Sequence, residues 1–214
     1  MPTSMTSPST QAAALSYLAL GDSYTIGEGI AAEHAWPRQL AAQLRDAGIA
    51  LADPHVIATT GWSSCELSAA IDAAAPGGHD FVSLLVGVND QYRGLALAHY
   101  RSGFAQLLER ATGLARGRAD RVLVLSIPDW GVTPFGQASG RAPAQVAAEL
   151  DAFNGAARAA CATRDVAFVD ITPVSRERGA EPAMLAADGL HPSAAMHALW
   201  TQLALPTAQR LLSR

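Results

Sequence analysis

Short apolar runs closed by turn-forming residues alternate along the chain with segments whose apolar positions recur every three or four residues. Residues 15–20 (LSYLAL) stop at Gly21-Asp22-Ser23 and predict a first strand. Residues 35–47 place Trp36, Leu40 and Leu44 at i, i+4 and i+8, the apolar face of a helix that Gly48 stops. A short second strand at 56–59 is followed by a helical pattern through Leu67 and Ile71. Residues 81–88 (FVSLLVGV) are almost wholly apolar, as expected of a strand covered on both faces. A long helix from about Leu95 to Ala115 leads into a fourth strand at 121–127, and residues 128–143, rich in Gly and Pro, predict a long loop. Val146, Leu150 and Phe153 mark the next helix, and residues 166–171 (VAFVDI) a fifth strand. The closing helix starts near Pro192 with Met196, Leu199, Trp200 and Leu203 on one face, and Pro206 should kink or end it. Parallel strands need crossover connections, so five strands separated by helices predict an α/β fold with a parallel sheet covered on both faces. There is no internal repeat and no linker. The expectation is a single domain over residues 15–214 behind a frayed tail at 1–14.

Composition narrows the chemistry. Half of the 214 residues are hydrophobic and 16% charged, which suits a full core and argues against disorder. All fifteen basic residues are Arg. Without Lys there is no P-loop, no pyridoxal Schiff base and no Ser-Lys dyad. A net charge of −4 argues against nucleic acid as the main partner. No apolar run approaches the ~18 residues of a membrane span, and residues 1–14 lack the basic and apolar regions of a signal peptide. A cytoplasmic protein is therefore expected, with export of a longer precursor left open as the alternative and with Cys65 and Cys161 reduced and buried.

In doubly wound sheets the working residues lie beyond the carboxyl ends of the strands. Four short motifs fall there or at the last helix. Gly21-Asp22-Ser23-Tyr24 follows the first strand, and Thr59-Thr60-Gly61-Trp62-Ser63 the second. Gly87-Val88-Asn89-Asp90 ends the third, and Asp188-Gly189-Leu190-His191-Pro192 precedes the closing helix. Each alone is ordinary: Ser23 could cap a helix, Gly61 could serve a turn, and Asp188-Gly189 is a common turn pair. Asp22 and Asp90 are expected to be structural. Together the motifs supply a hydroxyl, an imidazole, a carboxylate, a side-chain amide and a glycine N–H, the inventory of acyl transfer.

With these blocks in this order, the chain resembles the SGNH family of GDSL-type esterases and lipases. Ser23, Gly61, Asn89 and His191 carry the four blocks, with Asp188 three residues before the histidine. The resemblance implies a three-layer α/β/α, flavodoxin-like fold with a five-stranded parallel sheet. It also implies a serine esterase with an acyl-enzyme intermediate, acting on small or medium carboxylic esters, with thioesters or lysophospholipids as further substrates. In that reading Ser23 is the nucleophile, His191 the base and Asp188 its orienter; Ser23, Gly61 and Asn89 form the oxyanion hole. No cofactor and no metal are expected. Tyr24 departs from the usual Leu after the nucleophile, which should alter packing or substrate fit. Trp62, Tyr92, Trp130 and Phe135 are candidates for the substrate pocket, and Arg93 for an anionic group.

Two other readings stay open on the residues. One is a non-catalytic module that binds an acyl or carbohydrate ligand. The other is a dinucleotide-dependent oxidoreductase, since Gly27-Glu28-Gly29-Ile30-Ala31-Ala32 fits G-x-G-x-x-A. That motif begins six residues after the first strand, too late for a dinucleotide turn. The G-x-S-x-G elbow is absent, with Thr25 where its second Gly would stand. Most of the remaining histidines (His34, His55, His79, His99, His197) are expected to be solvated.

Overall fold

The apolar runs become the strands of one parallel sheet in the computed structural model, which describes residues 13–213. They are β1 (Tyr17–Gly21), β2 (His55–Ala58), β3 (Phe81–Leu85), β4 (Val122–Leu125) and β5 (Ala167–Val169). Nine α-helices are formed by the described residues. In the first half these are α1 (Ser23–Ile26), α2 (Trp36–Asp46), α3 (Ser64–Ala74), α4 (Val88–Tyr92) and α5 (Leu97–Leu114). The second half has α6 (Pro134–Ala138), α7 (Pro143–Ala162), α8 (Thr172–Arg178) and α9 (Ala194–Leu212). The strand order β2-β1-β3-β4-β5 is the flavodoxin-like order.

Helices cover both faces: α2 packs on α9, which meets β5, while α3 and α7 flank α5, which meets β3. β1, β3 and β4 are buried at every position, which is why their sequences show no polar alternation. Leu20 sits in register with Ile57 on one side and Leu84 on the other. Burying each such side chain contributes about 1.5–3 kcal/mol. The chain passes from β1 to β2 on one side and from β3 onward on the other, so the carboxyl ends of β1 and β3 flank a switch point, where open α/β sheets leave a crevice.

Several expectations change. The strand predicted over 81–88 ends at Leu85, because Gly87 takes φ +129 and a side chain there would meet the Tyr100 ring at 2.6 Å. Residues 128–143 are not a loop throughout. A 3-10 turn at Trp130–Val132 and then α6 form because Asp129 caps the N–H of Gly131 and Thr133 that of Gly136. Helix α9 does not end at Pro206 but continues to Leu212. Ala204, Ala208, Leu211 and Leu212 bury the sheet-side stripe, while Pro206 and Gln202, whose carbonyl loses its donor, lie on the exposed side. That stripe leaves Leu203 exposed rather than in the core. Cys65 is an exposed residue of α3; only Cys161 is buried, and neither forms a disulfide.

His34, His55 and His99 are exposed and His79 is half-buried, but His197 is wholly buried. Its Nδ1 accepts the N–H of Trp36 at 3.0 Å, and burial pushes its pKa down to about 3. Gly27 caps the end of α1, so the 27–32 glycine pair does not join a strand to a helix as a dinucleotide turn does. The expected tail at 1–14 lies outside the described residues except for Ala13 and Ala14, which are exposed. No helix of the described residues is long and apolar enough to cross a membrane.

Candidate active site

Ser23 opens α1 directly beyond β1. The preceding residue, Asp22, is the N-cap: its Oδ1 accepts the N–H of Tyr24 at 3.0 Å. Asp22 is fully buried, and desolvation, opposed by that N–H and reinforced by the nearby Asp90 charge, raises its pKa to about 7. Its expected structural role thus fits its place under the serine.

Gly61 lies in the turn after β2 at φ +85, a left-handed conformation that disfavours any side chain, although a Cβ would meet nothing nearer than the Arg93 guanidinium at 4.0 Å. Backbone conformation, rather than want of room for a side chain, is therefore the reason for a glycine here. Arg93 donates to the Gly61 carbonyl and pairs with Glu66 at 2.8 Å. Its guanidinium thus braces the Gly61 turn.

Asn89, in α4, donates one amide N–H to the carbonyl of Trp62 at 2.9 Å, which leaves its second N–H. Asp90 accepts the N–H and hydroxyl of Ser64 at 2.8 and 2.6 Å, tying α4 to the start of α3 as a loop-holding carboxylate should.

Asp188 and His191 share one turn before α9. Asp188 Oδ1 accepts the N–H groups of Leu190 and His191, both at 2.9 Å, while Oδ2 meets His191 Nδ1 at 2.5 Å. A carboxylate only accepts, so Nδ1 carries the proton and Nε2 is left as the acceptor. Partial burial raises the Asp188 pKa, but the ring and backbone donors outweigh it and hold the carboxyl below its ordinary value.

These groups meet at one pocket of about 190 Å³. Ser23, Gly61, Asn89 and His191 form its polar wall. Tyr92, Trp130 and Phe135 face them as an aromatic cluster with ring centroids 5.3–6.4 Å apart. The Ser23 hydroxyl makes no hydrogen bond to His191, although both open onto the same cavity. Trp62, expected on this wall, is absent from it: its ring packs on the core and its carbonyl holds Asn89. Thr60, Val88 and Leu190 also line the pocket. Sequence reasoning passed over them, and their one signal was adjacency to Gly61, Asn89 and His191.

The sequence matches the model of the GDSL-like Lipase/Acylhydrolase family over residues 19–199. The chain belongs to this family. No curated protein matches the sequence. Among solved structures, TesA is 22% identical with a TM-score of 0.69 and covers 92% of this chain and 99% of its own. A lipase/acylhydrolase from Enterococcus faecalis is 18% identical, with a TM-score of 0.69 over 92% and 96% of the two chains. The acetyl xylan esterase Axe2 of Geobacillus stearothermophilus, as a W215I variant, is 20% identical at a TM-score of 0.66 over 92% and 95%. At these identities the likeness concerns the fold. Family membership makes the chain a hydrolase of the GDSL type. In this GDSL hydrolase the unusual Tyr24 is buried, its ring 5.9 Å from Trp200 and 6.0 Å from His191, both edge-on. It packs between Trp200 and the histidine and also lines the pocket, so packing and substrate fit, the two consequences expected of it, meet at one ring.

Proposed function

We propose that the protein is a serine esterase that cleaves short carboxylic esters through an acyl-enzyme. The observation that carries this reading is the convergence of Ser23, Gly61, Asn89 and His191 on one small pocket, with Asp188 on His191 Nδ1. Ser23 Oγ attacks the ester carbonyl while His191 Nε2 takes its proton. Asp188 fixes the tautomer and stabilises the imidazolium that forms. The N–H groups of Ser23 and Gly61 and the free N–H of Asn89 receive the oxyanion. The tetrahedral adduct collapses as His191 returns its proton to the leaving alkoxide. Water, activated by the same nitrogen, then releases the acid and restores Ser23. The serine–histidine hydrogen bond forms with substrate in place; such bonds are often long in its absence. A cavity of about 190 Å³ lies below the roughly 300–1,000 Å³ of pockets for drug-sized ligands, which favours short acyl groups.

The test is turnover of p-nitrophenyl acetate and butyrate by the wild-type protein and Ser23→Ala. The variant should lose at least about a thousandfold in kcat. Retained turnover would remove Ser23 from its role, and a wild type inert on every acyl length would return the fold to a ligand-binding module.

A further inference from the structure

Gln91 is polar, 1% exposed and two residues beyond Asn89 on α4, yet the chemistry above does not use it. Its side chain is spent on a wall of the pocket. Oε1 accepts the indole N–H of Trp130 at 2.8 Å, and Nε2 donates to Glu149 Oε2 at 2.6 Å. Glu149, on α7, is in turn held by Arg141 at 2.6 Å and by Gln145 at 2.8 Å. The Arg141 guanidinium also lies over the Trp130 ring, 5.5 Å from its centroid. Trp130 is therefore fixed at its edge by an amide and on its face by a cation, both anchored to one carboxylate.

A buried amide bonded at both its oxygen and its nitrogen costs little, whereas losing one partner strands the others. Because Asn89 and Gln91 share one short helix, the brace also fixes where the Trp130 wall stands relative to the oxyanion donor. We propose that Gln91 sets the acyl-length selectivity of the enzyme by pinning Trp130 at a fixed distance from the carbonyl seat, so that acyl groups longer than the pocket are refused. Gln91 is a positioning residue: it touches the wall, not the reacting atoms. This inference rests on the esterase reading of the same pocket.

The test is Gln91→Met, which keeps an unbranched side chain but neither hydrogen bond, assayed on p-nitrophenyl acetate, butyrate and octanoate. With Trp130 released, kcat/KM for octanoate relative to acetate should rise about tenfold, the scale of one buried hydrogen bond. The change should fall mostly in KM, with kcat on acetate nearly unchanged. Trp130→Phe in the Gln91→Met background should add little, since both changes delete the same bond. Glu149→Ala removes the outer anchor from a partly exposed position and should move the ratio the same way by a few-fold; it decides the matter if Gln91→Met does not fold. An unchanged octanoate-to-acetate ratio, or an equal loss of kcat at every length, overturns the inference while leaving an active Ser23 enzyme intact. A wild type inert on all three esters overturns the esterase reading and this inference together.

Discussion

The two walls of the pocket are held by different means. On the polar wall the proposed catalytic groups are held one by one through hydrogen bonds of their own: Asp188 to His191 three residues on, Arg93 to the Gly61 carbonyl, Asn89 to the Trp62 carbonyl. On the aromatic wall Tyr92, Trp130 and Phe135 rest on one another, and the polar anchor among them is the indole bond to Gln91. Proton transfer and oxyanion binding depend on direction and fail with small displacements. Excluding an acyl chain depends only on where a surface stands. The contrast predicts that damage to the polar wall strikes rate alike for all esters, and damage to the aromatic wall strikes choice among them.

After the serine itself, the largest effect should come from Asn89→Ala. Steady-state kinetics should show kcat reduced about 10²–10³-fold on acetate and octanoate esters alike, as for loss of one oxyanion donor. A loss confined to one chain length would move Asn89 to the other wall.

Beneath the polar wall, Asp22 offers a readout in stability. Its carboxyl ionises near the ordinary value of about 4 when unfolded but near 7 when folded. Across that interval the folded state keeps a proton that the unfolded chain has lost, so Asp22 makes stability fall as pH rises. His197 acts oppositely: folded with a pKa of about 3, it contributes stability present above pH ~6.5 and lost as pH falls toward 3. The two slopes offset each other between about pH 4 and 6.5. Asp22→Asn keeps a cap for Tyr24 and removes one slope, so urea unfolding should show the variant gaining at least about 1 kcal/mol on the wild type between pH 5 and pH 7.5. An unchanged pH profile would mean that Asp22 ionises normally.

The smallest effect belongs to Phe135→Ala. The ring is 38% exposed, so stability should hardly change. KM for octanoate should fall by a few-fold while kcat on acetate holds. An equal fall in kcat across lengths would erase the distinction between the walls.

The same contrast explains what the sequence made legible. The motifs after β1, β2 and β3 were visible because each follows an apolar run, and the Asp188–His191 turn because the carboxylate stands three residues from the ring it holds. Strand positions were visible because burial on both faces leaves unbroken apolar runs. What stayed hidden was nonlocal. Gln91 is linked to Trp130 thirty-nine residues on and to Glu149 fifty-eight on, and no spacing announces either. Trp62 was misplaced because adjacency to Gly61 says nothing about which way a ring points. The burial of His197 depends on Trp36, 161 residues earlier, and the passage of α9 through Pro206 depends on a stripe that packs against the body of the fold.

That contact between Trp36 and His197 joins the two halves of the proposed site. Ser23 and Asn89 lie in the first half of the chain, while His191 leads into α9. A chain that had paired β1 through β5 without α9 would hold the proposed nucleophile and oxyanion donor apart from the proposed base. Docking of α9 on α2, with Trp36 giving its N–H to His197 and Trp200 packing against Tyr24, brings the imidazole to the cavity that Ser23 shares. On the proposed roles, loosening that one helix would disconnect the catalytic set while leaving the sheet intact.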